Sequence, residues 1–155
     1  MKRIILCLTM LLLLFTACEK SCNVKPPKNV KPINLENYND VYTVYWNYIS
    51  LESKRNQEDE GKIIKISGWK AWSYDAFSLC DDAKYADKSL GYTAAFPHID
   101  IGFNFPEAHA MLDTCDLTKK CFVKGKLSFH LIEAGFCNKA IPVIEVTDIN
   151  DVYFK

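Results

Sequence analysis

Hydrophobic and polar positions divide the chain into three stretches with different periods. Residues 4–17 are apolar and uncharged, broken only by Thr9 and Thr16, and they follow Lys2 and Arg3. From Glu19 to about Leu35 the periodicity disappears: Lys, Ser, Asn and Pro dominate, and Pro26, Pro27 and Pro32 favour extended, unpaired backbone. Periodicity returns in residues 37–53. There Val41, Val44, Tyr45, Tyr48 and Ile49 recur at helical spacing, although Tyr42, Val44, Trp46 and Tyr48 also alternate as a strand would. The helix is the favoured reading, because Asn37, Asn39 or Asp40 can cap its start and residues 52–55 suit a solvated last turn.

The pattern then changes to period two. Residues 62–72 read as a strand with Ile64 and Ile66 on one face and Ile63, Lys65 and Ser67 on the other, and Gly68 predicts a bulge or sharp bend. A returning strand is expected over 74–79, a polar surface loop over 80–93 and a third strand over 98–105. Pro106 and Glu107 suit the first turn of a short helix over 106–112. A fourth strand follows at 120–130, a turn-rich loop at 134–139, and a last strand at 141–154, either continuous or broken at 148–151.

Strand, strand, strand, short helix, strand, strand is the order of a five-stranded OB-fold barrel. Gly61-Lys62-Ile63-Ile64-Lys65-Ile66-Ser67-Gly68, Cys121-Phe122-Val123-Lys124-Gly125-Lys126-Leu127 and Val143-Ile144-Glu145-Val146-Thr147-Asp148-Ile149 carry a further likeness. With them the chain resembles a family of small bacterial OB-fold lipoproteins related to the tRNA-anticodon-like binding domains, in which a helix also precedes the first strand. The resemblance implies a mainly β fold with one or two helices: a five-stranded, OB-fold-like Greek-key barrel over residues 36–155, preceded by an N-terminal helix. It transfers no catalytic residues, since a shared fold does not carry an activity.

The ending of the first apolar run brings in chemistry. As a helix the run reaches roughly 20 Å at about 1.5 Å per residue, short of the ~30 Å hydrocarbon layer, so it reads as a signal-peptide core. Phe15-Thr16-Ala17-Cys18 resembles the lipobox of bacterial lipoproteins, with Phe15 where leucine is commoner. The small residues let a peptidase hold an extended backbone, and the thiol takes a thioether-linked lipid. The expectation is a leader over 1–17, a lipidated tether over 18–35 with palmitate-type acylation at Cys18, and a domain held outside the cytoplasm in the cell envelope. Several acyl chains, at about 0.8 kcal/mol per buried methylene, would make that anchoring effectively permanent.

Charge narrows the partners. The chain has 19 basic and 19 acidic residues; loss of Lys2 and Arg3 leaves 17 against 19. So balanced a domain lacks the general field on which nucleic-acid affinity rests, which makes nucleic acid a poor partner. The expected partners are the membrane, through the N-terminal lipid, and an envelope protein, peptide or glycan.

Cysteine use follows the compartment. Cys22 lies on the tether, and Cys80, Cys115, Cys121 and Cys137 can form two bridges in an oxidising milieu. Three connectivities are open. The short loop between Cys115 and Cys121 suggests that pair, with Cys80–Cys137 as its complement.

An OB barrel offers ligands the face of its second and third strands and the loops beside it. That places Trp69, Trp72, Tyr74, Phe77, His98, Phe103 and Phe105 on or near the face, with Phe136 and Asn138 in the last loop. Rings there either stack on bases or sugars or point inward as core. His98, His109 and His130 with Cys115 or Cys121 match no compact zinc spacing, and no cofactor motif or catalytic grouping is present. Asp81 and Asp82 form a carboxylate pair, but adjacent acids in a polar loop are ordinarily solvated. The leading expectation is a lipid-anchored binding module without enzymatic activity. The alternatives are an envelope inhibitor or structural protein working through the 80–93 loop, with Tyr85 and Tyr92 exposed, and a hydrolase without a recognised motif.

Overall fold

The structure, a computed structural model, describes residues 27–49, 54–73, 76–85, 89–90, 97–114, 116, 118–134 and 137–155. The expected leader, Cys18, Cys22, Tyr74, Tyr92, Cys115 and Phe136 lie outside the described residues.

The first helix, α1 (Val41–Tyr48), is shorter than its periodicity suggests. Asp40 sets its start by accepting a 2.6 Å hydrogen bond from the Thr43 main-chain N–H, one of the three caps expected. Lys54 and Arg55, expected in the last turn of that helix, instead open a separate short helix, α2 (Lys54–Asp59). The two are tied together by the Tyr48 hydroxyl donating to Asp59 Oδ2 at 2.9 Å and by Asn56 Nδ2 donating to the Tyr48 carbonyl at 2.8 Å.

Next come β1 (Ile63–Ser73), β2 (Ala76–Cys80) and β3 (His98–Phe103), then helix α3 (Ala108–Thr114), β4 (Cys121–Ala134), β5 (Cys137–Val146) and β6 (Val152–Phe154). β1 pairs antiparallel with β2, β2 with β3, and β3 runs parallel to β5; β5 pairs antiparallel with β4, and β4 returns to β1. The sheet therefore closes into a five-stranded barrel with the OB order, so the fold is mainly β as the alternation implied. Among the described residues no helix is long and apolar enough to cross a membrane.

Closure requires β1 and β4 to serve two partners each. β1 pairs with β4 over Ile63 to Gly68 and with β2 from Trp69 onward; β4 pairs with β1 up to Lys126 and with β5 from Lys126 onward. A glycine stands at each changeover. A Cβ on Gly68 would lie 2.7 Å from Val41 Cγ2 and 2.8 Å from the Cys80 carbonyl oxygen, and one on Gly125 would lie 2.6 Å from both the Glu145 carbonyl oxygen and Ile144 Cγ2. The ladder runs through Gly68 without an inserted residue, so close backbone approach, rather than the bulge allowed for above, explains it.

The barrel interior is packed by Ile64, Ile66, Leu79, Ile99, Val123, Leu127, Ile144 and Val146, all without solvent exposure, together with Phe77. α1 buries Val41, Val44 and Tyr48 in the same cluster, and Met111 and Leu112 of α3 pack against it. Tyr45 of α1 lies beside His98 at the start of β3, whereas α3 follows the strand's other end.

Two expectations are corrected here. The turn-rich loop expected over 134–139 is cut short: Ala134 and Cys137 to Lys139 lie in paired strands, with Ala134 opposite Cys137. The 80–93 segment is also not simply a surface loop. It contains a 3-10 turn at Ala83–Tyr85, and Ser89–Leu90 pairs in parallel with Trp72 and Ser73. The final stretch takes its broken form, with a 3-10 turn at Ile149–Asp151 capped by Asp148 between β5 and β6.

Candidate functional site

Among the described residues, the rings expected on the ligand face do not form one platform. Phe77 is 3% exposed and points into the core, where its ring centroid lies 5.3 Å from that of Phe103, and Phe103 lies 5.6 Å from Phe105. The outward row between β2 and β3 is polar and closed: Ser78, fully buried, donates to Asp100 Oδ1 at 2.5 Å. Trp69 is half-buried, packed with Tyr85 over Ala71 and Cys80, and His98 is half-buried with its ring centroid 6.4 Å from that of Tyr45. Tyr85, expected to be exposed, is thus part of a small cluster, with Lys84 Nζ 4.7 Å above its ring. Trp72 takes its place on β1 opposite Phe77, and Asn138 on β5 opposite Glu133; both side chains fall outside the described set.

The cysteine expectation is corrected. Cys80 and Cys121 are buried thiols, so neither the Cys80–Cys137 nor the Cys115–Cys121 bridge is formed. Register gives the reason for the first. Cys80 sits opposite His98, whereas Cys137 precedes Val143, the partner of Asp100, by six residues; the offset amounts to about 13 Å along the strand, well beyond the ~7 Å that a disulfide tolerates. The Cys80 thiol faces the Trp69 carbonyl at 3.4 Å and the Asp82 carbonyl at 3.5 Å, and burial pushes its pKa up to about 11.

The adjacent acids have separate structural duties. Burial raises Asp81, which accepts hydrogen bonds from the Tyr42 and Val41 main chain at the start of α1, while the ion pair with Lys84 at 2.6 Å holds Asp82 down. Among the described residues no three His, Cys, Asp or Glu side chains converge as metal ligands would.

The exposed apolar surface gathers elsewhere, on the outer face of β1, β4 and β6. Phe122 and Tyr153 are cross-strand partners, stacked with centroids 4.9 Å apart and planes 3° from parallel. Tyr38 meets both edge-on, at 5.2 Å and 6.1 Å. Such pairs contribute about 0.5–1.5 kcal/mol each beyond burial. Burial, followed by a hydroxyl hydrogen bond with Tyr153, pushes the Tyr38 phenol up to about 12.

Lys65, Lys124 and Lys126 stand on the same face, at outward positions where β1 and β4 pair. Lys124 pairs with Asp151 at 3.0 Å, and Lys65 Nζ donates to the Glu36 carbonyl at 2.8 Å. Of the large apolar side chains exposed among the described residues, Ile63 and Tyr153 belong to these strands, Leu35, Tyr38 and Ile149 flank them, and Tyr42 lies on α1.

Sequence reasoning missed this face, although it had a signal. Ile63 and Phe122 occupy the solvent side of an alternation whose other outward positions are mostly lysine and serine, where an aliphatic or aromatic side chain is out of place.

Comparison with known protein families, with curated proteins and with solved structures found no match for the chain.

Proposed function

We propose that this chain is a lipid-anchored interaction module of the bacterial cell envelope, acting by surface contact rather than by catalysis. The leader and lipobox-like Phe15-Thr16-Ala17-Cys18 support the anchoring, with Cys18 acylated after cleavage. The observation that carries the binding role is the exposed apolar and basic face of β1, β4 and β6 on a barrel whose interior is filled by side chains. A filled barrel offers a ligand its outside, and contiguous apolar surface ringed by polar groups marks contact sites.

Phe122 and Tyr153 each spend one ring face on the other, and Tyr38 stands perpendicular to both. The contact surface is made by Ile63, Tyr153 and the lysines between them.

A benzophenone amino acid placed at Ile63 or at Tyr153 in cells tests this reading by photo-crosslinking. Adducts to an envelope component should form from both positions and not from Glu58 on α2. Failure at both positions, with the protein folded and present in the membrane fraction, contradicts it.

A further inference from the structure

Resting on that reading, we infer that the β1–β4–β6 face lies directly against the headgroups of an anionic phospholipid bilayer. Three observations converge on a bilayer as occupant. The first is the kind of side chain present: tyrosines at the centre, aliphatic side chains at the rim and lysines on the strands. Tyr hydroxyls and Lys ammonium groups suit the headgroup layer, and Leu35, Ile63 and Ile149 suit its boundary with the acyl chains. The second is charge. Lys65, Lys124 and Lys126 bring three cations to neighbouring outward positions of β1 and β4. Asp151 pairs with Lys124, and Glu145 of β5 stands opposite Lys126, which leaves Lys65 without a facing carboxylate among these ion pairs and registers.

The third observation is the route of the chain. The segment that would come from the lipidated residue docks beside this face: Glu36 accepts from Lys65 Nζ, Asn39 pairs with Ile66 and Tyr38 covers Phe122 and Tyr153. From Cys18 to Asn34 there are sixteen residues, at most about 55 Å of extended chain. An anchor on so short a leash makes contact with the bilayer intramolecular, so even a weak surface affinity keeps the face down.

The test separates this inference from the anchoring. Residues 18–155 with Cys18→Ser carry no acyl chain but retain the whole barrel, whose core lies between Ile33 and Phe154. This protein is sedimented with vesicles of phosphatidylcholine alone and with vesicles containing one third phosphatidylglycerol. Binding to the anionic vesicles only, weakening as salt is raised, is expected. Each lysine near such a surface contributes about a fivefold change in partitioning, so Lys65→Gln with Lys126→Gln should weaken binding about thirtyfold. Ile63→Ser should weaken it independently, and thermal melting confirms that each variant is folded.

Equal binding to neutral and anionic vesicles, no binding to either, or unchanged binding by folded variants overturns the inference. So does a photo-crosslink from Ile63 that goes to protein and never to lipid. Because Cys18 is absent from the sedimentation assay, a failure of acylation leaves its outcome unchanged and is read separately from the mass of the native protein.

Discussion

Asn39 donates its side-chain amide to the main-chain carbonyl of Lys65 at 3.0 Å, joining residues twenty-six apart in sequence. The same amide reaches the Asn34 carbonyl at 2.8 Å, and its Oδ1 accepts from the Asn34 N–H at 2.9 Å. Asn39 is 6% exposed, so this one buried side chain bonds main-chain groups of both the incoming chain and β1. It fastens the segment before α1 to the barrel along the edge of β1, where Asn39 and Asp40 pair in parallel with Ile66 and Ser67.

Removing it should leave those groups unpaired. Asn39→Ala is expected to lower unfolding stability by about 2 kcal/mol, the range for orphaned buried polar groups, as read from urea denaturation. A loss below about 0.5 kcal/mol would mean that water replaces the amide freely.

Tyr38 gives the docked segment a pH signature. Its phenol is pushed up to about 12 by burial and by its bond to Tyr153, against an unfolded value near 10. With the folded value raised, the contribution is fully present below pH 10 and is lost as pH climbs toward 12, because the unfolded tyrosine ionises first. Melting temperature should therefore fall across that window, and fall less in Tyr38→Phe. Absorbance titration should show one late-ionising tyrosine that the variant lacks; identical titrations would contradict the assignment.

The two changeover glycines should be intolerant of any side chain. At Gly125 a methyl group meets a main-chain oxygen at 2.6 Å, which cannot swing aside as a flexible side chain would. Gly125→Ala is expected to cost about 2 kcal/mol or more, at the upper part of the range for overpacking, and Gly68→Ala a similar amount. Calorimetric unfolding checks both, whereas Gly102→Ala, with its nearest atom at 3.9 Å, serves as the mild control.

Cys80 should behave as an inert core thiol. With its pKa pushed up to about 11 and no solvent exposure, it should react with a thiol reagent at neutral pH only when the barrel opens. Peptide mapping without reduction should recover it unbridged. Rapid labelling of the native protein, or a peptide joining Cys80 to Cys137, would contradict the register described here.

Much of the barrel was legible because alternation and closure are one pattern: Ile64, Ile66, Val123, Leu127, Ile144 and Val146 mark the inner face in sequence as they do in space. The helix ending at Tyr48 was readable from Val41, Val44 and Tyr48 and from the Asp40 cap. Disulfide pairing was not, since it depends on how far strands are offset, and nothing local to Cys80 or Cys137 records that offset. The inward turn of two of the rings expected on the second and third strands was hidden for a related reason. Phe77 and Phe103 look alike whether a strand turns them in or out, and strand direction was settled only by pairing. Tyr38, Phe122 and Tyr153 come from three distant segments, so their meeting is a property of the closed sheet alone.

The proposed anchoring at Cys18 underlies the envelope assignment, and the intact mass of the protein purified from bacterial membranes tests it most directly. The account predicts a chain that begins at Cys18, with residues 1–17 removed and acyl groups added to that cysteine. A chain that still begins at Met1 with an unmodified thiol at position 18, or one cut elsewhere without lipid, would contradict it.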